Sequence, residues 1–112
     1  MGEKAAVYRV KTIIQERFSD PITLPELASE ARLSLFHLLR VLARDVGMPP
    51  HAFQTQVRLA HSLILVKRGA PLAHVALEVG FADQSHFNRH FKRFLGITPG
   101  RYQSQLKNRG FG

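Results

Sequence analysis

The sequence predicts an all-α protein of about seven helices, arranged as two helix-turn-helix subdomains joined by a long linker helix. Three observations support this fold class. Apolar residues recur at spacings of three and four, and no period-two strand pattern of useful length occurs. One helix-turn-helix pattern occurs twice along the chain. With 112 residues, of which 45% are apolar, the chain is long enough for one compact domain or two very small subdomains.

The first two helices are delimited by local start and stop signals. Residues 5–18 form an apolar helical stripe that ends before Pro21. Thr23 is placed to cap the second helix, with Glu26 three residues on as its capping-box partner and Pro25 in the first turn. The first helix is expected to pack against the rest of its subdomain.

The third and fourth helices follow the same logic. Ser34 is a fresh N-cap for a helix that runs to about Val46 and ends at Gly47. A longer helix over residues 50–68 ends at Gly69, with its apolar stripe predicted at Phe53, Val57, Ala60 and Ile64. This helix is the predicted linker.

Three further helices complete the chain. A short helix spans residues 71–79 and is followed by a turn at Gly80. Asp83 then caps a helix that runs to Leu95, and Pro99 begins the last one. The corresponding domain prediction is 1–48 for the first subdomain, 49–69 for the linker helix, and 70–112 for the second subdomain with a basic tail.

The helix-turn-helix pattern is an internal duplication. Before the turn the two copies are 48 residues apart, with Leu27, Ala28, Glu30 and Leu33 matching Val75, Ala76, Glu78 and Phe81. After the turn the offset is 49, and His37, Leu38, Arg40, Leu42, Arg44 and Gln54 match His86, Phe87, Arg89, Phe91, Arg93 and Gln103. One extra residue therefore lies in the second turn.

A helical wheel separates an apolar arc from a basic arc on the second helix of each copy. In the second copy the predicted buried arc holds Phe87, Phe91, Phe94 and Leu95, and the opposite arc holds Ser85, Asn88, Arg89, Lys92 and Arg93. In the first copy Leu38, Leu42 and Val46 are predicted to be buried, whereas Phe36, Arg40 and Arg44 face outward with Leu39 at the edge. Each copy thus presents a helix with an exposed basic side.

Charge favours a polyanionic partner: nucleic acid, anionic membrane or a phosphate-rich ligand. The formal net charge is +8, from 16 Lys and Arg against 8 Asp and Glu, and no acidic residue follows Asp83. No apolar run approaches bilayer length and no signal peptide is present, so a soluble, cytoplasmic, nucleoid-associated protein is expected. A membrane-surface helix is disfavoured because both apolar arcs are needed for two small cores.

Enzymatic and metal chemistry find no support in the sequence. Cysteine is absent, and no Ser, His and Asp arrangement indicates a nucleophile. His86 and His90 have metal-ligand spacing, but no third ligand is placed by the sequence, so neither a metal nor a cofactor is expected.

The exposed basic sides of the two helices are flanked by residues that are expected to contact nucleic-acid phosphate. These residues are Ser34, His37, Arg44, Gln84, His86, His90, Lys92, Arg93 and Arg101.

Phe36 and Leu39 are open to two interpretations. In the first interpretation they contact thymine methyl groups in a DNA groove. In the second they pack against the preceding helix or form a protein-contact surface. The second interpretation leads to the alternative function of a protein-interaction adaptor that uses this surface and the basic tail and does not read DNA.

Two segments carry a family resemblance: "ITLPELASEARLSLFHLLRVLARDVGMPPHAF" and "PLAHVALEVGFADQSHFNRHFKRFLGITPGRY". Over about residues 22–103, the chain resembles the DNA-binding domain of AraC/XylS-type bacterial transcription regulators. The most specific matches are Gly80-Phe81, Phe87, Phe91-Lys92, Gly96 and Thr98-Pro99.

The resemblance implies sequence-specific binding to duplex DNA at asymmetric sites, and activation of transcription through contact with RNA polymerase. It implies base contacts from Phe36, Leu39, Arg40, Ser85, Asn88 and Arg89. Leu39 departs from the polar residue often found at its position. The resemblance also implies that an effector-binding domain belongs to such regulators and is absent from this chain.

The expected mechanism places residues 34–46 and 83–95 in two successive major grooves. Because grooves on one face repeat about every 34 Å, a linker that holds the two helices closer than this would require bent DNA. One chain already supplies two reading helices, so a monomer is expected to be sufficient.

Overall fold

The computed structural model describes residues 2–108, which contain seven α-helices and no strand. The helices are α1 Glu3–Glu16, α2 Leu24–Ala31, α3 Leu35–Asp45, α4 Pro50–Lys67, α5 Leu72–Glu78, α6 Gln84–Leu95 and α7 Pro99–Asn108. The all-α prediction is confirmed, and the pairs α2–α3 and α5–α6 form the two helix-turn-helix motifs.

Side-chain caps fix where α2, α3 and α6 begin. Thr23 Oγ1 accepts a hydrogen bond from the Glu26 backbone N–H at 3.2 Å, and Ser34 Oγ accepts from the His37 N–H at 3.1 Å. Asp83 Oδ1 accepts from the backbone N–H of His86 at 2.8 Å. Each cap satisfies a donor that has no partner within the helix, and all three predicted N-caps are confirmed.

The turn inside each motif requires a left-handed residue. Arg32 follows α2 with a φ of 56°, and Gly80 lies in the corresponding turn after α5 with a φ of 103°. Glycine adopts this conformation without the steric cost that a side chain brings. The second motif therefore turns on a residue suited to the conformation, whereas the first holds an arginine there.

The chain divides into two compact units, with the boundary between Val57 and Arg58, inside α4. Helix α4, which was predicted as the linker helix over residues 49–69, has its first half in one unit and its second half in the other. The single predicted stripe along it was wrong for Ala60 and Ile64, which are exposed. Because α4 contributes to two cores, its buried side changes along its length.

The first unit has a core built from α1, α2 and α3. Its buried members are Ala6, Val10, Ile13, Ile14, Ile22, Leu27, Ala28, Ala31, Leu38 and Leu42. Phe53 and Val57, from the first half of α4, pack against this cluster. The Gln54 side chain is 5% exposed and donates to the carbonyls of Phe18 and Asp20 at 3.0 and 2.7 Å, which ties α4 to the loop after α1.

The second unit buries an aromatic group on α6. Phe87 and Phe91 are fully buried, with ring centroids 5.6 Å apart, and Phe81 packs 5.5 Å from Phe87. Gln103 donates to the carbonyls of Val66 and Ala70 at 3.1 and 3.0 Å. It therefore ties α7 to the end of α4, as Gln54 ties α4 to the segment after α1.

The buried arc of α6 is narrower than predicted. Phe94 and Leu95 were placed in it, but each is 44% exposed. Phe87 and Phe91, one helical turn apart, fill the available space against Phe81 and Tyr102. Phe94 and Leu95 are the last two residues of α6, directly before its C-cap Gly96.

Candidate nucleic-acid interface

Helix α3 presents an aromatic ring and a guanidinium on its outer side. Phe36 is 76% exposed, Arg40 is exposed, and Leu39 is half-buried. The opposite side holds Leu38, Val41 and Leu42, which are buried. Packing of this apolar side therefore orients the three predicted base-contact residues of α3, and the predicted outward side is confirmed for Phe36 and Arg40.

The basic flank of α3 is already paired with carboxylates. His37 Nε2 lies 2.7 Å from Glu3 Oε2, and an Arg44 guanidinium nitrogen donates to Glu3 Oε1 at 2.9 Å. Arg44 also donates to both carboxylate oxygens of Asp45, at 2.7 and 3.2 Å. Two predicted phosphate contacts, His37 and Arg44, are thus held by the protein itself.

This pairing favours the ionised carboxylates. The hydrogen bond from His37, followed by that from Arg44, lowers the pKa of Glu3 below its ordinary value. The hydrogen bond from Arg44 likewise lowers the pKa of Asp45, and the two carboxylates raise the pKa of Arg44. Sequence reasoning missed Glu3, because it precedes His37 by 34 positions and only the packing of α1 on α3 brings them together.

Helix α6 presents a basic side with a different electrostatic environment. Gln84, Ser85, Arg89, Lys92 and Arg93 are all exposed. Within residues 2–108, neither Arg89, Lys92 nor Arg93 forms an ion pair with a carboxylate. The positive charge of α6 is therefore available to a partner, whereas the Arg44 flank of α3 is neutralised.

Two surface depressions are lined by residues that were predicted to contact DNA bases or phosphates. Arg89, His90 and Arg93 line one depression on α6. Lys92 lines another with Thr98 and Arg101, which places the predicted contact on α7 beside α6. The Arg101 backbone N–H donates to Thr98 Oγ1 at 3.2 Å, so the start of α7 is fixed.

Asn88 occupies the edge of the exposed side and is half-buried. Its Oδ1 atom is buried and accepts no hydrogen bond from the described residues. A bidentate contact with adenine needs both the oxygen and the nitrogen of the amide. Asn88 was predicted to make such a contact, and it must turn its amide outward to do so.

His86 and His90 interact with each other. Their Nε2 atoms are 3.0 Å apart, and both rings pack against Phe81. Burial, followed by the charge of His86, lowers the pKa of His90, so its imidazole is uncharged at neutral pH. His90 can therefore offer a phosphate at most one neutral N–H donor.

Neither a membrane-spanning helix nor a metal-binding cluster occurs within residues 2–108. No helix there has the length and apolar character needed to cross a membrane. In the same residues, no cluster of three or more His, Asp or Glu side chains is arranged to hold a metal ion.

Comparison with known proteins decides the family. A family model described as a helix-turn-helix domain matches residues 27–105. A probable AraC family transcriptional regulator from Rhodopseudomonas palustris superposes with a TM-score of 0.82 and 29% identity, covering 90% of this chain and 96% of that one. The chain belongs to the AraC/XylS family. The resemblance inferred from the sequence is confirmed.

Curated members of the AraC/XylS family are similar over most of this chain. The transcriptional regulator MtrA of Neisseria gonorrhoeae is 33% identical over 87 residues, which is 77% of this chain and 29% of MtrA. The transcriptional activator RhaS of Yersinia pestis is 31% identical over 107 residues, covering 93% of this chain and 38% of RhaS. The chain thus spans well under half the length of these AraC/XylS regulators and corresponds to their DNA-binding helix-turn-helix part.

Proposed function

We propose that this AraC-type domain binds a specific duplex DNA sequence with α3 and α6 in two successive major grooves, and thereby regulates transcription. The observation that carries the proposal is the repeated construction of α3 and α6. Each follows a tight turn, begins at a side-chain cap and buries one apolar side, so that Arg40 and Arg89 are exposed at equivalent positions. An exposed basic helix of this kind fits the major groove.

In this proposal the two helices read different chemical groups. Arg89 pairs with guanine, Asn88 with adenine after its amide turns, and Ser85 supplies a further hydrogen bond. On α3, Arg40 reads guanine and the exposed ring of Phe36 packs on a thymine methyl group, with Leu39 beside it. The first unit therefore makes fewer polar base contacts than the second.

The proposed phosphate contacts flank these readers. Lys92, Arg93 and Arg101 are exposed in the second unit and have no carboxylate partner among residues 2–108, so they supply the larger electrostatic share. The exposed amide of Gln84 adds an uncharged hydrogen-bond contact. In the first unit, the proposed phosphate contacts are Ser34, His37 and Arg44. On α6 of the second unit, His86 and His90 are further proposed phosphate contacts. A monomer suffices because one chain has both helices.

The proposed regulatory role is activation through contact with RNA polymerase, on the bacterial nucleoid in the cytoplasm. Activation is supported by the 31% identity with RhaS, which is described as a transcriptional activator.

An alternative function is a protein-interaction adaptor, which the 76% exposure of Phe36 favours. One experiment separates the two. Electrophoretic mobility shifts with random duplexes at two salt concentrations are expected to show binding that weakens steeply with salt. Selection from the same pool is then expected to enrich a defined sequence. No affinity for duplex DNA at physiological salt would leave the adaptor as the function.

A further inference from the structure

The carboxylate of Glu3 bridges two basic side chains, His37 and Arg44, on the flank of α3. One of its oxygens is 2.7 Å from His37 Nε2, and the other accepts from Arg44 at 2.9 Å. His37 and Arg44 are seven positions apart on α3, so both lie on the same side of the helix. Glu3 reaches them from the first turn of α1.

The pair of donors formed by His37 and Arg44 has the chemistry of a phosphate site. An imidazole N–H and one guanidinium nitrogen bind the two oxygens of the Glu3 carboxylate, and arginine donates to carboxylate and phosphate alike. Arg44 also donates to both oxygens of Asp45, which stays beside the site when Glu3 leaves it. The non-bridging oxygens of a DNA phosphate present the same pair of acceptors. Glu3 therefore occupies the place that a backbone phosphate would take.

The second unit has no comparable internal anion. Arg93, which corresponds to Arg44 in the duplication, has no carboxylate partner within the described part of the chain, and neither does Lys92. The corresponding flank of α6 is thus open, while that of α3 is filled by the protein's own carboxylate.

We propose that Glu3 is an intramolecular competitor of DNA, occupying a backbone-phosphate subsite formed by His37 and Arg44 that duplex DNA fills only when Glu3 leaves it. This inference rests on the proposed function. The Glu3 side chain is 43% exposed, so the pairing is screened and reversible, and it attenuates binding by the first unit without blocking it. Any change that moves the start of α1 would then tune the contribution of α3.

Replacement of Glu3 tests the proposal directly. With Glu3→Gln, the affinity for a selected duplex is expected to rise roughly 2- to 5-fold at low salt, the equivalent of an exposed ion pair. The plot of log K against log salt is expected to become steeper by about 0.9, since the Arg44 guanidinium then meets one more phosphate. Both quantities are measured by fluorescence anisotropy of a labelled duplex.

Glu30→Gln is the matched control. It removes one negative charge and one exposed ion pair, 2.8 Å from Arg9, but leaves α3 untouched. Its effect on affinity and salt slope measures the general influence of net charge. In a background with both His37→Gln and Arg44→Gln, Glu3→Gln is expected to have no larger effect than Glu30→Gln.

A second variant tests whether the effect of Glu3→Gln comes from unfolding of the start of α1. Glu3→Asp keeps the negative charge near the helix N-terminus and withdraws the carboxylate by one C–C bond, about 1.5 Å. It is expected to raise the affinity in the same direction as Glu3→Gln, with an unchanged circular dichroism melt.

The outcomes separate this inference from the proposed function. If the unchanged protein binds no duplex, the proposed function is wrong. If it binds a selected duplex, but Glu3→Gln and Glu30→Gln shift the affinity and salt slope equally, only the role of Glu3 is overturned.

Discussion

At the residue scale, Arg89 and Lys92 occupy neighbouring places on the exposed side of α6 but have different proposed tasks. Arg89→Ala is expected to cost about 1–3 kcal/mol of binding free energy and to relax the preference at one base position. Lys92→Ala is expected to weaken binding to all sequences alike and to flatten the salt slope by about 1. Competition titrations with matched and mismatched duplexes measure both effects.

Arg9→Ala is the control for these two variants, because Arg9 is exposed on α1 and pairs with Glu30. It removes the same charge away from α6. Unchanged binding to a cognate duplex by both α6 variants would show that the reading face is wrongly assigned.

Asn88 allows stability and recognition to be separated. Asn88→Ala removes a buried oxygen that has no hydrogen-bond donor within residues 2–108, so the free energy of unfolding is expected to stay equal or to rise by up to about 1 kcal/mol. The preference for one base pair is expected to fall by about 1–3 kcal/mol. Urea unfolding and duplex competition report the two quantities. A large loss of stability, or an unaltered base preference, would contradict this account, and Asn108→Ala on α7 serves as the exposed control.

His90 gives the second unit a dependence on pH. Its folded-state pKa is lowered from 6.5, chiefly by burial, so the unfolded chain takes up a proton more readily. The stability that the neutral ring contributes is fully present above about pH 6.5 and is lost as the pH falls through the folded-state value. Thermal unfolding temperatures are therefore expected to fall with decreasing pH over this range, and His90→Gln is expected to reduce the slope.

His51→Gln is the control for this titration, because His51 is exposed on α4. An equal pH slope for the unchanged protein and His90→Gln would exclude His90 as the source.

At the element scale, the turn of the second motif depends on Gly80. Gly80 has a φ of 103°, a conformation in which an L side chain is strained. Gly80→Ala is therefore expected to destabilise the protein by about 1–2 kcal/mol. Gly100→Ala in α7 is expected to stabilise it by about 0.5–1 kcal/mol, since the added Cβ would lie 3.5 Å from Leu72 Cδ1, an ordinary contact. Chemical denaturation measures both. Equal effects of the two substitutions would show that backbone conformation does not distinguish these sites.

The helices were predictable because their signals are local. Thr23, Ser34 and Asp83 cap donors within three residues, and the apolar spacing that selects Leu38 and Phe87 for the core lies within one helix. The duplication added a second observation of each element.

The remaining features depend on residues far apart in sequence. The pairing of Glu3 with Arg44 spans 41 positions and follows from the packing of α1 on α3. The exposure of Phe94 depends on what covers the last turn of α6, which a helical wheel does not contain. For the same reason, a single wheel could not describe α4, whose two halves serve different cores.

At the scale of the whole molecule, duplication gives one chain two reading helices with unequal chemistry. Helix α3 presents Phe36 and Arg40 beside a flank neutralised by Glu3 and Asp45. Helix α6 presents Arg89 with cations that have no carboxylate partner in residues 2–108. Two reading helices with different exposed side chains are suited to an asymmetric DNA site, because each half of the site meets a different set of side chains.

Selection of bound sequences from a random duplex pool, carried out with the unchanged protein, Arg40→Ala and Arg89→Ala, tests the two-helix account most directly. The unchanged protein is expected to enrich two different short segments whose centres lie about 10 base pairs apart. Each variant is expected to lose preference within one segment and to keep the other. Enrichment of no sequence, or loss of the same segment in both variants, would contradict the account.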